Sequence, residues 1–211
     1  MAKNLTTTSY AVLGLLNLRP WSAYELTQQA KRSLRYTWPN SESHLYAEPK
    51  RLVSMGLARV AEKPAGPRRT RQVYRITAAG RRALEGWLAT EPTPPQMEFE
   101  AMLRLLYADA GDKHDLLAAL DATRRKVEDS YEEGLQILRG YLEGEAPFPE
   151  RLHISVLVGT FARDLLWLLL RWSEFAHAEV GRWPRTDGLG MTKRTRELLE
   201  ALVAEQPVLP D

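Results

Sequence analysis

Apolar positions in the first part of the chain recur at helical spacing. Ala11, Val12, Leu15, Leu16 and Leu18 form one stripe within residues 9–18, closed by Arg19-Pro20, and predict a first helix. Ser22 with Glu25 three residues on has capping-box spacing and predicts a second helix, through Leu26 and Ala30 to Leu34. Pro39-Asn40-Ser41 opens a third, capped by Asn40 or Ser41 and stopped after Met55 by Gly56. The period then changes. Residues 57–61 and 71–76 read as strands around a Pro64-Ala65-Gly66-Pro67 turn, and Thr77 caps a fourth helix over residues 78–89. Helix, helix, helix, strand, strand, helix is the order of a winged helix-turn-helix.

Glu91-Pro92-Thr93-Pro94-Pro95 cannot continue a helix, so residues 91–97 read as a linker. Beyond it the pattern is all-helical, with segments at 98–108, 113–142, 152–180 and 192–204. The two long segments are amphipathic: Leu116, Leu120, Val127, Leu138 and Tyr141 mark one stripe, and Leu157, Phe161, Leu165, Leu168, Trp172 and Phe175 the other. The expected fold is therefore mainly α with a small β-hairpin: a winged helix-turn-helix over residues 1–90 and an all-helical domain over 98–211.

Charge separates the same halves. Residues 1–90 hold 15 Lys and Arg against 5 Asp and Glu, a net of +10, whereas residues 91–211 hold 14 against 22, a net of −8. A basic unit of domain size suits a polyanion such as double-stranded DNA, and the acidic remainder suits assembly or ligand binding. The absence of cysteine excludes disulfides, thiolate metal sites and cysteine nucleophiles, and fits a cytoplasmic protein. Arg163 and Asp164 interrupt the longest apolar run, so no membrane crossing is expected. The four histidines never pair at metal-binding spacing, and no phosphate loop or nucleophile elbow occurs. No catalytic residue, metal or cofactor is expected.

On the third helix, Leu45, Pro49, Leu52 and Val53 share one side; Ser43, Ala47, Lys50, Arg51 and Ser54 share the other, flanked by His44 and Tyr46. A small, polar, basic face suits entry into a major groove. Arg68, Arg69 and Arg71 cluster at the hairpin turn, where an anion such as a phosphate relieves their repulsion. With Tyr24 and Ser41, these residues (Ser43, His44, Tyr46, Lys50, Arg51, Arg68, Arg69 and Arg71) are the candidate DNA contacts. Pro49 lies inside the helix, where proline removes a hydrogen bond at a cost of about 3 kcal/mol, and a kink there would re-aim Lys50 and Arg51.

Ala11-Val12-Leu13-Gly14-Leu15-Leu16, Tyr24-Glu25-Leu26, Leu45-Tyr46 with Leu52 and Gly56-Leu57, and Val73-Tyr74-Arg75-Ile76-Thr77-Ala78-Ala79-Gly80 stand in an order and spacing that resemble the PadR-like family of bacterial transcription regulators. Where many members read His-Gly-Tyr, this chain has Trp21-Ser22-Ala23-Tyr24, so only the tyrosine transfers. The resemblance implies a repressor that binds a pseudo-palindromic operator as a homodimer formed by its C-terminal helices. It also allows a planar aromatic effector, for which Phe161, Trp167, Trp172 and Trp183 are the candidate residues; helix packing accounts for the same aromatics. Two readings of other classes stay open: a winged-helix protein-interaction module that does not touch DNA, and a small-molecule carrier built on the helical half.

Overall fold

A computed structural model of the chain describes residues 5–34, 42–64 and 70–204. The chain divides into two compact units, Met1–Pro95 and Gln96–Asp211. In the first, α1 (Thr7–Leu18), α2 (Ala23–Leu34), α3 (Glu42–Ser54), β1 (Ala58–Pro64), β2 (Thr70–Ile76) and α4 (Ala78–Leu88) follow in the expected order. α1 begins earlier than its apolar stripe because Thr6 caps it: the Thr6 hydroxyl accepts from the Ser9 amide and the Ser9 hydroxyl accepts from the Thr6 amide. The Ser22–Glu25 box forms as the spacing predicts, with the Ser22 amide donating to the Glu25 carboxylate at 2.8 Å. α3 stops where Gly56 takes φ +72° and the amides of Gly56 and Leu57 return to the carbonyls of Val53 and Leu52.

That turn delivers the chain directly into β1, which pairs antiparallel with β2 from Ala58↔Ile76 to Pro64↔Thr70. The hydrophobic core draws Val12, Leu13, Leu15 and Leu16 from α1, Leu26 and Ala30 from α2, Leu45 and Leu52 from α3, Val73, Tyr74 and Ile76 from β2, and Leu84 from α4. Trp21 closes one side of it. Its backbone bridges Tyr74 in both directions, at 3.1 and 2.7 Å, and its indole N–H donates to the Leu15 carbonyl at 2.7 Å. The departure from the His-Gly-Tyr pattern thus supplies a buried anchor. Tyr10 of α1 stacks on Trp87 of α4 with ring centres 4.9 Å apart.

The second unit contains α5 (Glu100–Leu106), α6 (Lys113–Leu142), α7 (Leu152–Arg182) and α8 (Lys193–Ala204). α6 and α7 form an antiparallel hairpin. At one end the Lys113 ammonium donates to the carbonyls of Gly181 and Trp183, at 2.8 and 2.5 Å, placing a cation at the negative end of α7. Near the other end Leu138 packs on Gly159, where a β-carbon would stand only 3.1 Å from the leucine methyl. Ala108, Leu116, Leu120, Ala176 and Val180 make the core between them.

α7 carries two apolar faces. Leu166, Ser173, Ala176 and Val180 are buried on its inner side. Leu157, Phe161, Leu168 and Phe175, four of the six residues of the stripe read from the sequence, stand 73, 57, 52 and 48% exposed, because the helix turns a different side toward α6. The stretch Pro149–Arg182 has the length and apolarity of a membrane span, with mean hydropathy 1.5 in its richest window. It also holds the adjacent Arg163–Asp164 ion pair at 2.6 Å, and each charge costs about 3 kcal/mol at a bilayer centre. An uncovered apolar stripe broken by such a pair suits another protein surface.

Candidate nucleic-acid interface

Seating of α3 begins with its inward side. Leu45, Pro49 and Leu52 are buried as expected and Val53 is half-buried, but Glu48 joins them at 8% exposure. Its carboxylate accepts from the Ser9 hydroxyl at 2.6 Å and from the Arg51 guanidinium at 2.6 Å, while Arg51 also donates to Ser9 at 2.9 Å. Ser9 is fully enclosed on α1, so the triad bolts α3 to α1 through satisfied polar groups. Neither Ser9 nor Glu48 stood among the expected functional residues. A signal was present in both helices, since Glu48 falls between Leu45 and Leu52 at core spacing and Ser9 precedes Val12, Leu13 and Leu16 in the same way.

Arg51 therefore has an internal partner and positions the helix, where the sequence pattern had set it on the DNA-facing side. His44, Tyr46, Ala47 and Lys50 are exposed, which leaves a continuous polar and aromatic surface on α3. α3 is one helix across Pro49, whose ring is fully buried, so the apolar contact offsets part of the missing hydrogen bond. Tyr24 of α2 is 68% exposed. Arg71 of β2 is half exposed, with one guanidinium nitrogen 3.2 Å from Glu25. The Ser22 backbone amide, helped by the Ser22 hydroxyl, Arg71 and Arg19, holds the Glu25 carboxyl below the usual glutamate range. Ser41, Arg68, Arg69 and the side chain of Ser43 lie outside the described residues.

The four aromatic residues considered for an effector do not share one environment. Trp172 and Trp183 pack against the core of the helical unit, and Trp172 meets the Phe99 ring edge-on at 5.3 Å. Phe161 and Trp167 are 57 and 51% exposed, with the Arg171 guanidinium 4.7 Å from the Trp167 ring. Six residues apart on one helix, these two rings point in different directions. Among the described residues no cluster of metal-ligating side chains occurs.

The model of the transcriptional regulator PadR-like family matches residues 12–86. The negative transcriptional regulator PadR of Bacillus subtilis (strain 168) is 30% identical over 99 residues, 46% of this chain and 54% of the relative. The chain thus matches about half the length of that relative. Among solved structures, Bacillus subtilis PadR in complex with operator DNA superposes with a TM-score of 0.67 at 22% identity, covering 83% of this chain and 99% of that one. The smu.1604c protein of Streptococcus mutans gives 0.70 at 17% identity, covering 81 and 98%. These likenesses show a shared fold: a winged helix followed by helices. Over residues 12–86 the motif order, the winged-helix fold and the family model coincide, and this segment is similar to the PadR-like family of transcriptional regulators.

Proposed function

We propose that the protein is a sequence-specific, DNA-binding repressor of transcription that acts in the cytoplasm as a homodimer on a pseudo-palindromic operator. The observation that carries this reading is the surface of α3: His44, Tyr46, Ala47 and Lys50 exposed on a helix whose opposite side is held by the core and by the Ser9–Glu48–Arg51 triad. A rigid helix with small, polar and basic side chains is what major-groove readout requires. The net charge of +10 over residues 1–90 supplies the attraction to phosphates. Support also comes from Bacillus subtilis PadR, a negative transcriptional regulator whose crystal structure has been determined in complex with operator DNA.

Dimerisation rests on the uncovered stripe of α7, since a soluble chain gains by burying Leu157, Phe161, Leu168 and Phe175 against a second copy. For release from DNA we assign a planar aromatic effector, in keeping with the crystal structure of Bacillus subtilis PadR in complex with p-coumaric acid. Trp167 is the exposed ring available to it, because Trp172 and Trp183 are engaged in the helical core and Phe161 belongs to the stripe that the second copy covers.

Duplexes from the DNA flanking its own gene, titrated at several salt concentrations, test the function. One site should bind at least about 1,000-fold tighter than random sequence, with affinity falling steeply as salt rises. Equal, weak binding to every duplex would favour a protein-interaction module or a ligand carrier. Tryptophan quenching by p-coumaric acid, together with loss of operator affinity, tests the effector; a ligand bound equally by both states would quench without releasing DNA.

A further inference from the structure

Arg59 and Arg75 are direct register partners in the β1–β2 hairpin. Side chains so placed lie on the same face of a sheet, and like charges directly opposite destabilise it. Around them a cavity of about 420 Å³ opens between the end of α1, the base of the hairpin and the start of α4, and Arg19 and Arg81 line it as well. None of the lining residues is acidic. Arg19 is partly occupied, lying 3.5 Å over the Trp21 ring and 4.0 Å from Glu25. No ion pair joins Arg59, Arg75 or Arg81 to a carboxylate among the described residues. The rest of the wall is Leu16, Asn17, Leu18, Pro20, Ile76, Thr77 and Ala78, the last two bringing the positive end of α4 to the same cleft.

The cleft stands apart from the wing. Arg59↔Arg75 is the second pair from the base of the hairpin, and its closing pair Pro64↔Thr70 is five residues further on, about 17 Å along the strands. We propose that this cleft binds a small phosphorylated anion carrying at least two negative charges. Guanidinium forks match phosphate oxygens in pairs, and a ligand of that size and charge fills the volume while neutralising the cross-strand repulsion. Bound there, it ties the base of the hairpin to α1 and α4 and so steadies the element that carries the wing. The site is separate from the α3 surface, and its test does not require an operator.

Thermal unfolding of the full chain with and without pyrophosphate, against sodium chloride of equal ionic strength, examines the site. Pyrophosphate should raise the midpoint by several degrees once it is well above its Kd, and the matched salt should not. Arg59→Gln and Arg75→Gln should each raise the midpoint of the ligand-free protein, because the repulsion is relieved, and weaken pyrophosphate binding at least tenfold by calorimetry. Arg59→Lys, which keeps the charge without the fork, should retain part of the pyrophosphate shift. The proposal is overturned by an equal shift in sodium chloride, or by glutamine variants that keep the pyrophosphate shift. It is also overturned if those variants lose affinity and salt slope on sheared duplex DNA while pyrophosphate has no effect, since the arginines would then be contacts to DNA phosphates.

Discussion

A β-carbon at Gly80 would lie 2.1 Å from the Leu57 carbonyl oxygen, the same oxygen that accepts from the Thr77 amide at 3.0 Å. The Thr-x-x-Gly signature is thus a steric requirement: Thr77 caps α4, and Gly80 lets that first turn sit against Leu57 in the turn between α3 and β1. Gly80→Ala should destabilise the protein by about 3 kcal/mol, an overpacking penalty readable in urea unfolding; a cost below about 0.5 kcal/mol would mean that the backbone yields. Adjacent residues on α3 should separate position from recognition. Lys50→Ala should lower the salt slope of DNA binding by about one unit and leave stability within about 0.5 kcal/mol. Arg51→Ala or Glu48→Ala should instead cost about 2 kcal/mol of stability, because each breaks a charge-assisted bond that seats the helix. If Arg51→Ala changes only DNA affinity, the triad is not what holds α3.

At the scale of elements, α8 is the least anchored helix described. It buries no side chain, and its visible tether is the Arg194 guanidinium on the Glu179 carboxylate, at 2.7 and 3.1 Å, with Arg182 closing the other side. The hydrogen bond from Arg194 is the chief reason that the Glu179 carboxyl titrates below its ordinary value of 4.5. A depressed carboxyl stabilises the folded state above its unfolded pKa, and that contribution is lost as pH falls through the lower folded value. Proteolysis and amide exchange within Lys193–Ala204 should therefore accelerate below pH 4.5 while α6 and α7 keep their protection. Glu179→Gln should produce the same loosening at pH 7. Unchanged exchange in that variant would show that something other than the ion pair holds the helix.

For the whole molecule, each unit has its own core, so a fragment ending at Pro95 should fold cooperatively and sediment as a monomer. Full-length protein should sediment as a dimer, and Leu157→Asp with Phe161→Asp should return it to a monomer by placing charge on the uncovered stripe. Operator affinity should fall with the dimer, since linking two half-sites makes the second contact intramolecular. A double variant that remains dimeric would move the interface elsewhere.

Element order, most caps and the winged-helix class were legible in the sequence because they depend on local chemistry: stripe period, the Ser22–Glu25 spacing, the stop at Gly56 and the cap at Thr77. The net charge of +10 over residues 1–90 likewise pointed to a polyanion without reference to any contact. What local pattern does not contain is which side of a helix meets which neighbour. The inward turn of Arg51 depends on Ser9, 42 residues away, and the exposure of Phe161 depends on the side of α7 that faces α6. Arg59, Arg75, Arg19 and Arg81 are scattered over three stretches of chain, and only the hairpin register and the close approach of α1 and α4 bring them to one cleft. Spacing along the chain determines period and caps; tertiary packing decides partners, because partners are set by distances in space that separation in sequence does not encode.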